Sequence, residues 1–379
     1  MLSDTELKTR IDQAGKKRRW YQSVPYGNIS SPNTHFGDGK TNDRSYGDGR
    51  WTHYIKPMLE HINKLGIQSE QSSLCEVGCS AGLFLLRAWQ KYKFDRLIGV
   101  DAGLGAFDQL LVTRDYYDKM PLEVYNRGIG PLEPNIAHPD AKPLDMHTFP
   151  IVDITMLSCV HYHMRVNALV EYLRVLSSKS LYLVVLLDEN AGGVIDPKSA
   201  YLQHLMKPLS DWIFTHRIST PAKLLGQNAK GRVKDLTVLL FRSRSLKRLP
   251  IQDCWEKQIA LNPYNAVFYQ KIFPEFIKDV LSNRTDESNL ADSACYRWQR
   301  DGHCGSTAWG PKIARERVLS YINLVKTANE HGQETPIRLM PRNAEDPWDG
   351  MHRIAVLKYL GKKFVYGRIG RCSARTRNR

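Results

Sequence analysis

Residues 74–82, Leu-Cys-Glu-Val-Gly-Cys-Ser-Ala-Gly, run straight into Leu83-Phe84-Leu85-Leu86-Arg87-Ala88-Trp89. An apolar strand, a turn of small residues and an apolar helix in direct succession constrain the fold more than any other segment. They are the first half of a βαβ unit. A second short strand, Leu97-Ile98-Gly99-Val100, follows and ends in Asp101. Small residues at a strand–helix turn let backbone approach a ligand closely, and an acid at the end of the next strand suits ribose hydroxyls.

The turn is not a dinucleotide turn. Gly-x-Gly-x-x-Gly places a pyrophosphate on a helix N-terminus. Here the spacing is Glu76-x-Gly78-x-Ser80-x-Gly82, so the last small residue comes one position early and an acid precedes the bend. A carboxylate there repels a pyrophosphate and suits a cationic ligand end, such as the amino group of a methionyl moiety. The pattern resembles the first motif of class I S-adenosylmethionine-dependent methyltransferases, with Ser80 in place of the middle glycine. Serine keeps the turn small, but its Cβ raises the cost of a positive φ.

The resemblance extends over about 50–243. It implies that Gly78, Ser80 and Gly82 wall the methionine and ribose of S-adenosylmethionine and that Glu76 orients its amino end. It gives Asp101 the ribose hydroxyls. Asp145 reaches the adenine amino group, with Asp140 as its rival. The strand after Pro150, Asp-Ile-Thr-x-Leu-Ser-x-Val, resembles the fourth strand of such enzymes, and Ser158 at its end joins the cofactor-binding set. His161 and His163 follow directly. If the acceptor is a hydroxyl, a base must take its proton, and His161 is the expected base.

Strand and helix alternate between 70 and 190, which predicts a doubly wound, mostly parallel α/β sheet. Ile151–Val160 and Leu181–Leu187 are continuous apolar runs, as buried parallel strands require. A helix is expected over 53–66, with Ile55, Met58, Leu59 and Ile62 on one face and Gly66 as its stop. The stretch 121–130 is a further strand region. After a long helical and loop insert, Leu236–Phe241 is expected to close the sheet. Ahead of all this lies Trp20-Tyr21-Gln22-Ser23-Val24-Pro25-Tyr26-Gly27. Its aromatics either cap a core or line a substrate mouth, and it resembles a lead-in of methyltransferases that modify wobble uridine in tRNA. The expected organisation is a lead-in over 1–48, a methyltransferase domain over 49–243, a helical connector over 244–294, a second domain over 295–370 and a basic tail over 371–379.

Lys and Arg number 54 against 39 Asp and Glu, a net charge of +15. That balance favours anionic partners: phosphorylated or nucleotide-linked small molecules, or nucleic acid. No apolar signal core opens the chain and no apolar run approaches a membrane span, so a cytoplasmic location is expected. The 7 cysteines lack paired zinc spacing. Cys75, Cys79, Cys295 and Cys304 are read as free thiols, and no metal site is predicted.

Near the end, Asp349-Gly350-Met351-His352-Arg353-Ile354-Ala355-Val356-Leu357 leads to Gly361 and a last strand over 363–369. Asp349 is the expected N-cap and Gly361 the C′ residue. Cations in a first helical turn oppose the helix dipole by about 0.3–1 kcal/mol each, which makes sense if an anion docks there. The run Asp-Gly-x-His-Arg-x-Ala-x-Leu-x-x-x-Gly resembles the core motif of the ParB/sulfiredoxin-like fold over about 295–370. That resemblance implies a smaller α+β domain with Asp349, His352 and Arg353 as phosphate or nucleotide contacts. Met351 stands where sulfiredoxins need cysteine, so their chemistry is not implied.

Three functions follow. The first is O-methylation of a small-molecule or glycan-type acceptor with S-adenosylmethionine, since no Asn/Asp-Pro-Pro-aromatic tetrapeptide of amino-methylating enzymes occurs. The second keeps the chemistry with RNA as acceptor. The third is a nucleotide-binding or small-molecule kinase protein in which the first domain only senses S-adenosylmethionine.

Overall fold

The computed structural model describes residues 2–17, 20, 23–32, 49–67, 71–129, 137–158, 166–188, 208–220, 236–261, 266–302, 308–340 and 347–369. The chain divides into two compact units, Met1–Met146 with Val152–Arg244, and His147–Ile151 with Ser245–Arg379.

The first unit is built on a seven-stranded sheet. Its strands are β1 (Ser73–Val77), β2 (Arg96–Val100), β3 (Leu122–Tyr125), β4 (Val152–Ser158), β5 (Ser180–Asp188), β6 (Trp212–Thr220) and β7 (Leu236–Ser243). They lie in the order β6-β7-β5-β4-β1-β2-β3. Pairs among β5, β4, β1, β2 and β3 are parallel, whereas β7 runs antiparallel to both β5 and β6. The strand order reverses direction between β1 and β4, and a switch of that kind opens a crevice at the carboxyl ends of the strands. Every residue of β1 is buried, as are the first six of β4. The continuous apolar runs are therefore explained by cover on both faces.

The sheet differs from expectation at one edge. Leu236–Phe241 does not close it; β7 lies one strand in, and β6 is the edge. Trp212-Ile-Phe-Thr-His-Arg-Ile-Ser-Thr220 mixes exposed and buried positions, with Phe214 53% exposed. An edge strand carries one wet face and loses the apolar run that marks an interior strand.

Helices pack on this sheet through buried apolar side chains. Trp51–Ile55 forms a π-helical turn that continues into α2 (Lys56–Lys64), so the expected helix begins earlier than 53. Ile55, Met58, Leu59 and Ile62 are all buried. Behind the turn after β1 comes α3 (Leu83–Tyr92), with Leu83, Phe84, Leu85, Leu86 and Ala88 buried. Truncating one such leucine to alanine costs about 2–5 kcal/mol. After β2 comes α4 (Ala106–Tyr116), and after β4 comes α5 (Val166–Leu176). The amino-terminal helix α1 (Asp4–Lys17) lies against α4, joined by Arg10–Asp115 at 2.7 Å and Lys17–Asp108 at 3.2 Å. Trp20 and Tyr26 are 1% exposed, so these lead-in aromatics cap a core.

The second unit carries a four-stranded sheet of β8 (Leu246–Pro250), β9 (Ile337–Leu339), β10 (Pro347–Asp349) and β11 (Phe364–Ile369), in the order β8-β11-β9-β10. Its helices are α6 (Ile251–Leu261), α7 (Phe273–Leu281), α8 (Ala294–Asp301), α9 (Gly310–His331) and α10 (Met351–Tyr359). Residues of all five share one apolar core with β9 and β11. Buried Gln333 closes this unit like a backbone element: it accepts from Tyr366 N at 2.8 Å and donates to Tyr366 O at 2.7 Å. Gly361, at φ +70°, ends α10 as its C′ residue, with Lys362 N–H donating to Leu357 O. Asp349 is not the N-cap. It ends β10, and Gly350 at φ +116° caps the helix with no side-chain acceptor.

Among the described residues, no helix is long and apolar enough to cross a membrane.

Candidate functional site

The turn after β1 is bent by three left-handed residues, Gly78 (φ +73°), Ser80 (φ +51°) and Gly82 (φ +78°). Ser80 therefore does occupy a position that disfavours a side chain. The backbone is held there by bonds to the end of β2. Gly78 N–H donates to Val100 O at 2.7 Å. Ser80 N–H donates to Asp101 Oδ2 at 2.8 Å, and Gly103 N–H donates to Asp101 Oδ1 at 2.7 Å. Asp101 thus binds the two loops into one rim.

Two close approaches explain the small residues. A Cβ on Gly82 lies 2.8 Å from Leu110 Cδ1, and one on Gly99 lies 2.9 Å from Leu110 Cδ2. Leu110 of α4 fills the notch between turn and sheet. Beside it, Thr113 Oγ1 donates to Ala81 O at 2.7 Å and meets Tyr26 OH at 2.9 Å. The lead-in is thereby pinned to the turn through one hydroxyl.

Glu76 is the chemical centre of the site. It is 0% exposed, and neither carboxylate oxygen has a hydrogen-bond partner among the described residues. Burial pushes its pKa up to about 8, and the charge of Asp101 adds to the rise; Ser158 and Arg50 oppose it. Ser158 faces Glu76 from the end of β4 and lowers that pKa, yet its hydroxyl makes no hydrogen bond of good geometry. A buried carboxylate this poorly satisfied is costly. It is suited to a ligand donor that brings positive charge.

Asp140 and Asp145 lie in a loop joined to the segment that follows β2. Gly103 and Ala137 form an antiparallel bridge, and His138 N–H donates to Ala102 O at 2.7 Å. Asp140 and Asp145 are both exposed in this loop. Asp140 N–H donates to His138 Nδ1 at 3.2 Å, with its carboxylate 3.9 Å from the same nitrogen. Leu144 N–H, next to Asp145, donates to Gly128 O at 2.8 Å. His161 and His163 lie outside the described residues.

Cys75, Cys79, Cys254 and Cys295 are buried free thiols, and burial pushes all four thiol pKa values up. Among the described residues, no group of three or more metal-ligating side chains occurs.

In the second unit, His352 sits inside a ring of aromatics. Tyr321 stacks on it at 4.3 Å, and Tyr269 and Phe273 approach at 5.3 and 5.5 Å. Its Nε2 meets Tyr269 OH at 3.2 Å. The residue as a whole keeps partial exposure, but its imidazole is enclosed. Burial first, then the charges of Arg317 and Arg353, push its pKa down to about 3. His352 is therefore neutral at pH 7, contrary to the expected cation, and Arg353 alone opposes the dipole of α10. Arg353 and Asp349 make no ion pair among the described residues.

Sequence reading missed Arg50. It is 3% exposed, immediately before the π-helical turn, and acts on Glu76. The signal was present: Arg50 continues the stripe of Tyr54 and Met58, both 0% exposed, so a charge stands on an apolar helix face.

No protein-family model matches the chain, and no curated protein does. Solved structures of similar fold include magnesium protoporphyrin IX methyltransferase of Synechocystis PCC 6803 with bound SAH. It is 12% identical, with TM-score 0.37, covering 55% of this chain and 90% of that one. Another is the N-terminal domain of EvdMO1 with SAH bound, at 12% identity and TM-score 0.40, covering 64% and 98%. A third is the bifunctional kinase-methyltransferase WbdD, at 13% identity and TM-score 0.39, covering 64% of this chain and 46% of that one.

Proposed function

We propose that the first unit binds S-adenosylmethionine and transfers its methyl group to a hydroxyl of a small-molecule or glycan-type acceptor. One observation carries the reading: a fully buried carboxylate, Glu76, with both oxygens unpartnered among the described residues, stands at the mouth of a left-handed turn of small residues. Ionised on binding, Glu76 accepts an ammonium and repels a pyrophosphate.

The cofactor supplies an electrophilic methyl carbon on a sulfonium. The chain supplies position. Gly78, Ser80 and Gly82 form the wall against the methionine and ribose, Asp101 takes the ribose hydroxyls while bracing the wall, and Asp145 or Asp140 meets the adenine amino group. Glu76 takes the ammonium, with Ser158 beside it. Alignment of nucleophile and methyl carbon accounts for much of the acceleration in such a displacement. His161 removes the acceptor hydroxyl proton. The net charge of +15 favours a phosphorylated or nucleotide-linked acceptor.

In the second unit, the proposed ParB-like domain binds an anionic ligand. Arg353 is its charged contact, Asp349 flanks it, and neutral His352 orders the helix start.

The test is transfer of labelled methyl from S-adenosylmethionine into cell extract separated into small-molecule, glycan and RNA fractions. Label in the small-molecule or glycan fraction supports the proposal. Label in RNA, with a steep salt dependence, replaces the acceptor class. No label in any fraction, with nucleotide turnover lost on His352→Ala, favours the sensor reading.

A further inference from the structure

The four-stranded sheet of the second unit has two unlike faces. Val365 of β11 and Ile337 and Leu339 of β9 are buried in the core that the helices share. Side chains alternate between faces along a strand, so Phe364, Tyr366 and Arg368 of β11 and Arg338 of β9 belong to the other face. Arg338 and Arg368 are exposed, and Met340, just beyond β9, is 38% exposed. Phe364 and Tyr366 are half-buried. On β8 the same alternation gives this face Arg248, whose guanidinium lies 3.8 Å from the centre of the Phe364 ring.

Register concentrates the charge. Arg338 and Arg368 are direct partners across the parallel pair of β9 and β11, and Arg248 is the partner of Tyr366. Across the sheet one row reads Leu246, Arg368, Arg338, Asp349. Like charges placed directly opposite one another are destabilising, and neither Arg338 nor Arg368 makes an ion pair among the described residues. Asp349 at the end of the row does not balance the arginines beside it. An anion bridging the two guanidiniums removes their repulsion. The sequence carries the same sign onward from β11, since 370–379 holds 4 Arg and no Asp or Glu.

We propose that this face of the second sheet binds single-stranded nucleic acid, with Arg338 and Arg368 on its phosphates beside the flat side chains of Phe364 and Tyr366. Guanidiniums fit phosphate oxygens through a planar donor fork. A positive surface with aromatic side chains accepts single strands because every unpaired base has a face to stack. A duplex hides those faces, and an anionic polysaccharide has none. The surface lies wholly in the second unit, and the proposal does not rest on the methyltransferase reading.

The experiment is fluorescence anisotropy of a labelled single-stranded RNA of mixed sequence, titrated with the full chain over a range of KCl concentrations without any methyl donor. Wild type is expected to bind with an affinity that falls steeply with salt. Each phosphate contact on a single strand contributes about 0.7 to the log–log salt slope, so Arg338→Gln with Arg368→Gln is expected to lower the slope by about 1.4 and to weaken binding by at least about tenfold near 0.1 M salt. The midpoint of urea unfolding is expected to hold or rise in that variant, because the repulsion is gone. A charge-matched control, Lys278→Gln with Lys326→Gln on the exposed sides of α7 and α9, is expected to bind like wild type. Equal losses in the two double variants overturn the proposal and assign binding to net charge. Heparin or duplex DNA held by wild type as tightly as the RNA also overturns it, and that comparison needs no variant. So does failure of wild type to bind the RNA at low salt.

Discussion

Ser80 donates its backbone N–H to Asp101 Oδ2 at 2.8 Å while holding φ at +51°. The bond couples the first turn of the sheet to the acid at the end of the second strand. It also holds a non-glycine residue in a conformation that costs about 1–2 kcal/mol.

Ser80→Gly is therefore expected to relieve strain. Glycine adds back about 0.5–1 kcal/mol of chain entropy cost, so the net gain in urea unfolding is at most about 1.5 kcal/mol. Cofactor affinity is expected to change little, because the Asp101 bond is made by backbone. A loss of stability shows that the serine side chain contributes bonds of its own.

The buried state of Glu76 gives a pH dependence with a definite sign. Its pKa is raised to about 8 in the folded chain from an ordinary 4.5. The folded state therefore holds a proton that the unfolded state has lost, and this contribution to stability is lost as pH rises from about 4.5 through 8. An ammonium ligand needs the ionised form. Affinity for S-adenosylmethionine is expected to rise between pH 6 and 8, with proton release on binding visible as buffer-dependent heat. Glu76→Gln is expected to weaken binding and flatten the profile.

His352 has the opposite sign of effect. Its pKa falls to about 3 from 6.5. Stability from its neutral form is complete above pH 6.5 and is lost as pH falls towards 3, by at most about 1.4 kcal/mol per pH unit. The difference in unfolding free energy between wild type and His352→Phe, followed from pH 7 to pH 4, is expected to fall with acid. A pH-independent difference contradicts the enclosure of the ring.

Thr113 joins three segments through one hydroxyl, bonding Ala81 O and Tyr26 OH. Thr113→Val keeps the shape and removes both bonds. It is expected to destabilise the chain by about 1–3 kcal/mol and to weaken cofactor binding, since Ala81 lies between Ser80 and Gly82. Tyr26→Phe removes one bond and is expected to cost less in both measurements.

Much of the sheet was legible because interior strands advertise themselves. Val152–Leu157 and Leu181–Leu186 are buried on both faces, and the spacing of Gly78, Ser80 and Gly82 maps directly onto three positive φ values. The edge strand β6 was not legible, because its wet face interrupts the pattern. Arg50 was overlooked because a single charge before a helix normally marks a solvated start. The state of His352 was misjudged for a different reason. Its neighbours Tyr269, Phe273 and Tyr321 come from distant segments, and no local pattern reports that they converge. Asp349 failed as an N-cap because β10 claims it for the sheet and leaves the turn to Gly350.

The central claim is that Glu76 and the turn beside it receive a sulfonium amino acid and reject a diphosphate. Calorimetric titration of the purified chain with S-adenosylmethionine and, separately, with NAD tests it most directly. The account predicts saturable heat for S-adenosylmethionine, lost in Asp101→Ala, and none for NAD. Saturable heat for NAD with none for S-adenosylmethionine contradicts it.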